Sequence, residues 1–426
     1  MNQPFKKINY VNGSLSFAGD KSISHRALLI SSLASGISEI KNLSNSDDVK
    51  STMSCLASLG INFEHSAEKI NVFGNGYKGY KQPAKPIYAG NSGTTARLLA
   101  GILVAQNFES VIVGDQSLSL RPMNRVIEPL SEMGAKLKAN DKGRLPLYIS
   151  PSDKLNAIQY QLPVASAQVK SAILLAGLHL DSKTTVMESF PTRNHTENLL
   201  GLKVVDQEGK IISYSSRDYY PEVKNYFIPG DISSAMYFIV LTLISKNSEL
   251  IVKNVSLNPT RIECLNILKR MGGNIEIDES GVSNNEVYGD VLVRSSDLQN
   301  VQIDEGIIPQ IIDEIPALTI AGIFADGNFA LIGVAELGVK ESDRIKAICT
   351  NLLKLGLDVE GYKDGFNVSG KIKNSSGSFN SFGDHRIAMA FAILSSHLEG
   401  GGKVEGFECA SVSNPEFSKQ LNSISI

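Results

Sequence analysis

The chain has 426 residues with a formal net charge of −3 and 20% charged residues, so neither nucleic acid nor an acidic membrane surface is expected as its main partner. That length exceeds what one hydrophobic core usually supports, and two domains of about 200 residues are expected. Four scattered cysteines without a CxxC pair, no His/Cys/Asp cluster at metal-ligand spacing and an N-terminus (MNQPFKKINYVNG) lacking an apolar signal core argue against a disulfide scaffold, a zinc site and a secretory leader. A cytoplasmic protein without a metal is the expectation.

In chain order, one cassette recurs six times: a Gly, Asp or Ser cluster opening a nearly all-apolar run of helical length. The copies begin near Gly19 (GDKSISHRALLISSLASG), Gly90 (GNSGTTARLLAGILVAQ), Ala165 (ASAQVKSAILLAGLHL), Gly230 (GDISSAMYFIVLTLIS), Asp313 (DEIPALTIAGIFADG) and Gly383 (GDHRIAMAFAILSSHLEGG), roughly 70 residues apart. After the cassettes come polar helices ending in a glycine turn: SDDVKSTMSCLASLG, RPMNRVIEPLSEMG, PTRIECLNILKRMGG and ESDRIKAICTNLLKLG. Their apolar residues recur at helical spacing (Val126, Leu130 and Met133; Ile262, Leu265, Leu268 and Met271), and Gly60, Gly134, Gly272 and Gly356 sit where a left-handed cap is wanted. Short β-like runs such as SVIVG, NFALIG, AKLKA and NIEID lie between, so each unit reads strand–helix–strand–helix–strand.

A helix that is apolar on every side must be buried on every side. Clustering three such helices on a common axis, with sheets and amphipathic helices outside, satisfies that demand. The expected fold is therefore α/β (α+β), a two-domain inverse α/β barrel with three repeats and three buried apolar helices per domain. The boundaries expected are residues 20–230 for the first domain and 1–19 plus 231–426 for the second, with crossovers at Tyr219–Gly230 and in the N-terminal segment. The longest uncharged apolar run, Ile232–Ser245, is too short for a bilayer, which needs about 20 residues.

The chemistry-bearing residues gather at the cassette entrances. Asp20-Lys21-Ser22-Ile23-Ser24-His25-Arg26 puts two cations and two hydroxyls on a first helical turn, where free N–H groups and the helix dipole already favour an anion. Taken singly, this segment reads equally as capping serines beside a solvated lysine. The other copies shift the balance. Gly90-Asn91-Ser92-Gly93-Thr94 repeats an anion-ready start with glycines that admit close approach. Arg97 lies further along that helix, Ser166-Ala167-Gln168-Val169-Lys170 supplies a hydroxyl, an amide and an ammonium, Arg121 precedes Pro122 at a surface-helix start, and Arg193 sits in Thr-Arg-Asn-His. Lys340-Glu341-Ser342-Asp343-Arg344 and Asp384-His385-Arg386 repeat the theme in the second half. Recurrence in both halves implies two facing sets of anion-binding groups across a cleft, and Asp313 and Glu341 add the carboxylates that proton transfer at a phosphorylated substrate needs. His25 and His385 read as packed or hydrogen-bonding residues.

These motifs (DKSISHR, GNSGTTAR, SAQVKSA, KESDR and DHRIAM), in this order from about Gly19 to Pro415, resemble the EPSP synthase family, the 3-phosphoshikimate 1-carboxyvinyltransferases of aromatic biosynthesis. The resemblance implies a fold of two domains, each of three βαβαββ units in an inverse barrel, closing around two small-molecule substrates, shikimate 3-phosphate and phosphoenolpyruvate. It implies that Lys21, Ser22, Arg26, Ser166, Ala167, Gln168, Arg193, Asp313 and Lys340 bind shikimate 3-phosphate. Lys21, Asn91, Gly93, Arg121, Gln168, Arg344 and Arg386 would bind phosphoenolpyruvate. Asp313, Glu341 and Lys21 would be catalytic: Asp313 takes the proton of the attacking hydroxyl, and Glu341 protonates the methylene carbon and later deprotonates the methyl. No metal or organic cofactor is implied, and a monomer is expected. Two features depart from the common family pattern. The segment Ala410-Ser411-Val412-Ser413-Asn414-Pro415 lacks the lysine many members carry there, and Arg193 stands where others use Ser and Tyr.

The nearest rival is the enolpyruvyl transferase acting on UDP-N-acetylglucosamine, which begins with a Lys-Asn pair and carries a reactive loop cysteine. Position 22 here is Ser, and no Cys falls between Ser92 and Arg125. A non-catalytic repeat scaffold would spread its basic residues over exposed faces. An RNA-end cyclase would want a basic surface.

Overall fold

The computed structural model describes residues 2–66 and 68–426. The chain divides into two compact units. The N-terminal unit comprises Ala18–Pro229 with Val282–Glu286; the C-terminal unit comprises the segment through Phe17, Gly230–Gly281 and Val287–Ile426. The turn Val282–Glu286, which the sequence reading assigns to the C-terminal half, thus groups with the N-terminal unit.

All six cassettes are helical: α1 (Lys21–Leu33), α2 (Gly93–Leu103), α3 (Ala167–Gly177), α4 (Ile232–Ile244), α5 (Ile315–Phe324) and α6 (His385–His397). Five start on a side-chain cap, from Asp20, Ser92, Ser166, Asp231 and Asp384, which satisfies N–H groups the helix itself cannot. α5 starts instead with Pro316 in its first turn, where a missing N–H costs nothing. The burial is as complete as the composition demands; in α4 every residue from Ile232 to Leu243 is buried.

Within the N-terminal unit α2 packs on α3 and α1; within the C-terminal unit α4, α5 and α6 pack on one another. The close approach of α2 to α3 has a sequence cause. A Cβ at Gly101 in α2 would lie 2.2 Å from the carbonyl oxygen of Ala172 in α3, so only glycine lets these backbones touch.

Among the described residues the strands form six sheets of three or four strands. In the N-terminal unit three four-stranded sheets share one arrangement, a parallel pair followed by two antiparallel neighbours. One runs Ile87–Tyr88, Ser110–Val113, Leu147–Ser150 and Lys136–Lys138. Its register puts Ile87, Ile112, Leu147 and Ile149 in the core while Tyr88 and Tyr148 face outward, the period of two expected of a half-buried sheet. In the C-terminal unit the N-terminal strand Asn2–Phe5 pairs antiparallel with Gly402–Glu405, and Asn12–Ser16 pairs parallel with Glu249–Ser256.

The amphipathic helices appear at Asp47–Ser58, Asn124–Glu132, Glu263–Arg270 and Arg344–Leu353. Gly60, Gly134, Gly272 and Gly356 follow them with φ of +88°, +92°, +95° and +74°, the left-handed conformation a chain reversal needs there. No single helix among the described residues is long and apolar enough to cross a membrane.

Candidate active site

The entrances of α1, α2 and α3 in the N-terminal unit are tied together by side chains. Gln168 donates Nε2 to Thr94 Oγ1 at 2.9 Å and accepts from Arg97 Nη1 at 2.7 Å, which joins α3 to α2. Arg121 donates to Asn91 Oδ1 at 2.7 Å, and Asn91 donates in turn to Asp115 at 2.7 Å. Gly93 sits beneath these guanidiniums: a Cβ there would lie 2.7 Å from Arg97 Nη1 and 3.4 Å from Arg121 Nη1. Asn91, Gly93, Arg121 and Gln168 are therefore one cluster, held by Arg97. The half-buried Ser166 and Ala167 open α3 beside Gln168, with Ser166 Oγ accepting from the Val169 N–H.

A second cluster lies where α1 meets α3. Arg26 is 2% exposed and donates Nε to Thr196 Oγ1 at 2.7 Å, Nη2 to Ser171 Oγ at 2.8 Å and Nη1 to the Ser22 carbonyl at 2.9 Å. Arg193 Nη1 is 3.5 Å from Ser22 Oγ. Burial pulls the Arg26 guanidinium down to about 10; Glu197 opposes that fall and the nearby charge of Arg193 adds to it. Arg26 reaches the Ser22 carbonyl and Arg193 the Ser22 hydroxyl, so two cations converge on the entrance of α1, where an anion is favoured. Lys21 donates Nζ to Asp48 Oδ2 at 2.9 Å, and this half-buried pair fixes the ammonium at the entrance of α1.

The C-terminal unit gathers the carboxylates. Arg344, 1% exposed, donates Nε to Asp384 Oδ2 at 2.7 Å, Nη2 to Glu341 Oε2 at 2.6 Å and Nη1 to Asp313 Oδ1 at 3.3 Å. Arg386 donates Nη1 to the Asp313 carbonyl at 2.8 Å and pairs with its carboxylate at 3.4 Å. Burial works against both charges, but the facing carboxylates outweigh it and raise both guanidiniums above their ordinary values. They stay cationic. Lys340 is half-buried, one residue before Glu341 at the end of the turn Ala335–Val339.

Three details differ from the sequence reading. Lys170, read as an ammonium offered to a ligand, is buried between Glu188 and Glu197 at 2.5 and 2.8 Å. Asp20, rather than Ser22 or Ser24, caps α1. Asp313, read as opening the fifth cassette helix, lies instead between the short helix Ile308–Ile311 and α5, which begins at Ile315.

His25 is structural as expected: its Nδ1 meets Thr52 Oγ1 at 2.6 Å, and burial pushes it well below the usual imidazole range, so it stays neutral. Sequence reasoning misses Asp48 and Asp384 as supporting carboxylates, which hold Lys21 and Arg344 from 27 and 40 residues away along the chain, farther than any spacing rule reaches.

A family model described as EPSP synthase (3-phosphoshikimate 1-carboxyvinyltransferase) matches residues 5–421. The 3-phosphoshikimate 1-carboxyvinyltransferase of Thermoanaerobacter sp. (strain X514) is 42% identical over 420 residues, 98% of each chain. That of Petrotoga mobilis (strain DSM 10674 / SJ95) is 44% identical over 420 residues, 97% of each chain. The structure of EPSP synthase from Acinetobacter baumannii superposes with a TM-score of 0.86 at 36% identity, over 100% of this chain and 98% of that one. The enolpyruvyl transferase NikO from Streptomyces tendae shares the fold, with a TM-score of 0.74 at 13% identity over 99% and 96% of the two chains. The fold is thus one that enolpyruvyl transferases use. The chain belongs to the EPSP synthase family.

Proposed function

We propose that the residue sets of the two units carry one reaction, transfer of the enolpyruvyl group of phosphoenolpyruvate to the 5-hydroxyl of shikimate 3-phosphate with release of phosphate. The chain is accordingly a transferase of aromatic biosynthesis. Ser22, Arg26, Ser166, Ala167, Gln168, Arg193 and Lys340 bind shikimate 3-phosphate, with Asp313 at its hydroxyl. Asn91, Gly93, Arg121, Gln168, Arg344 and Arg386 bind phosphoenolpyruvate, and Lys21 touches both ligands.

The observation that carries the chemistry is the single guanidinium of Arg344, bonded to both Glu341 and Asp313. Glu341 gives a proton to the methylene carbon, which leaves the adjoining carbon electron-poor. The 5-hydroxyl adds there and its proton passes to Asp313. From the tetrahedral adduct Glu341 takes a proton back from the methyl, and the C–O bond to phosphate breaks with its electron pair going to the leaving oxygen. The proton held on Asp313 passes to the departing phosphate, which returns both side chains to their starting protonation states. Arginines in a dry setting stabilise charge that develops on the phosphate and carboxylate as the adduct forms and collapses.

On this reading each unit is an inverse α/β barrel of three βαβαββ repeats, and the enzyme is a cytoplasmic monomer. The test is phosphate release from phosphoenolpyruvate with shikimate 3-phosphate, UDP-N-acetylglucosamine or unphosphorylated shikimate as acceptor. Release only with shikimate 3-phosphate is expected. Turnover with the nucleotide sugar instead would overturn the assignment.

A further inference from the structure

Lys170 takes no part in the reaction above, yet it is among the most elaborately held residues of the N-terminal unit. Its side chain, 1% exposed, is shared between Glu188 Oε2 at 2.5 Å and Glu197 Oε1 at 2.8 Å. Glu188 ends the strand Thr184–Glu188, and Glu197 lies in the helix His195–Leu200. One ammonium on α3 therefore pins both ends of the segment that carries Arg193.

The segment is also held from within. The second oxygen of Glu188 accepts the Thr192 N–H at 3.2 Å and the Thr192 hydroxyl. Thr196 Oγ1 accepts from Arg26 and lies 2.7 Å from Ser171 Oγ, and His195 Nδ1 pairs with Glu286 at 2.8 Å. Thr192, His195, Thr196 and Glu197 are buried, whereas Arg193 between them is half-exposed and reaches Ser22.

A buried ion cluster is a poor device for stability alone, since well-packed apolar residues of the same volume serve as well or better. It is a good device for fixing geometry. Arg193 is close enough to Arg26 for the two charges to oppose each other. A loosely held segment would let Arg193 swing away. A pinned one keeps both guanidiniums converged before any anion arrives, which removes ordering cost from binding.

We propose that Lys170, acting through Glu188 and Thr192, is a positioning residue that sets Arg193 for the phosphate of shikimate 3-phosphate. This rests on the reading that Ser22, Arg26 and Arg193 hold that phosphate. Glu188 holds the segment through both the Thr192 N–H and the Thr192 hydroxyl, and the hydroxyl is the part of that link a substitution removes while Lys170, Glu188 and Glu197 stay in place.

The test is a double-mutant cycle read by calorimetric titration of the enzyme with shikimate 3-phosphate, using the native chain, Thr192→Val, Arg193→Ala and the double variant. Thr192→Val is expected to weaken binding about tenfold, as loss of one hydrogen bond to a charged group does. Its KM for phosphoenolpyruvate should stay within about twofold, and its thermal midpoint should fall only as far as one lost buried hydrogen bond takes it. In the Arg193→Ala background the same substitution should change binding by less than about twofold, because the effect travels through Arg193. Lys170→Met, where it folds, should reproduce the selective loss. Equal losses in both backgrounds, or no loss in either, would overturn the proposal while leaving the functional reading intact. Failure of the native enzyme to bind shikimate 3-phosphate would overturn both.

Discussion

Arg344 donates Nη2 to Glu341 Oε2 at 2.6 Å from three residues further along the chain, and the same guanidinium reaches Asp313 Oδ1 at 3.3 Å and Asp384 Oδ2 at 2.7 Å. Three carboxylates on one planar cation need the fork geometry of arginine; a lysine offers one point of charge. Arg344→Lys should therefore keep the charge but release Glu341 or Asp313. We expect turnover to fall about 100-fold or more, the range a displaced acid–base group produces. Steady-state kinetics beside a thermal melt checks this, and native turnover would show that the fork is dispensable.

Gly93→Ala should weaken the donor substrate more than the acceptor. The added Cβ would meet Arg97 Nη1 at 2.7 Å, and that nitrogen is bonded to Gln168 Oε1, so the guanidinium cannot retreat without breaking a bond in the cluster. The KM for phosphoenolpyruvate should rise about tenfold, the worth of one charged hydrogen bond. Calorimetry should find shikimate 3-phosphate binding within about twofold of native. Equal losses for both ligands would separate residue 93 from the donor site.

A stability gain is expected in the C-terminal unit. Tyr237 on α4 is 1% exposed, and its hydroxyl has no hydrogen-bond partner among the described residues. Removing an unsatisfied buried hydroxyl relieves a desolvation cost, so Tyr237→Phe should stabilise by about 1 kcal/mol. Urea unfolding monitored by far-UV circular dichroism measures it. A loss of stability would mean that the hydroxyl is satisfied in solution.

The pH dependence of stability follows from His179, which donates Nδ1–H to the Leu175 carbonyl at 3.1 Å and which burial pushes down to about 4. The unfolded chain takes up this proton near pH 6.5, and the folded chain only near the lower value. Between those limits the unfolded state binds more protons, so stability falls as pH falls. This group contributes a slope of at most about 1.4 kcal/mol per pH unit there and none above pH 7. His179→Gln should flatten the slope by that amount without changing it at pH 8. Parallel slopes for the two proteins would remove His179 from the acid response.

The six buried helices and the glycine caps were legible because they are local: an apolar run of helical length has one stable fate, and Gly60 or Gly134 marks where a helix must turn back. The charged partners were not, for a physical reason. Lys170 at the entrance of α3 looks in sequence like Lys21 at the entrance of α1. The former is fully enclosed by Glu188 and Glu197, whereas the latter keeps some access to solvent beside Asp48, a difference set by tertiary packing. The turn Val282–Glu286 was likewise invisible, because Glu286 finds His195 from 91 residues away. Repetition showed which entrances bear charge; only the packed structure shows which charges are spent internally.

The two carboxylates on Arg344 should separate by the atom each serves. Glu341→Gln keeps shape and hydrogen bonding to Arg344 but removes the acid, so it should abolish proton exchange into the methylene of phosphoenolpyruvate. Asp313→Asn leaves that exchange chemistry in place and removes the acceptor of the hydroxyl proton. Either change should lower turnover by about 10²–10⁴-fold, the usual contribution of a general acid or base. The discriminating readout is deuterium incorporated into the methylene during partial turnover in heavy water, measured by mass spectrometry. Binding of shikimate 3-phosphate, measured by titration, should survive better in Glu341→Gln than in Asp313→Ala, because Asp313 also addresses the substrate hydroxyl. If Glu341→Gln exchanges at the native rate, Glu341 is not the carbon acid, and Lys21, fixed by Asp48 at 2.9 Å, becomes the group to test.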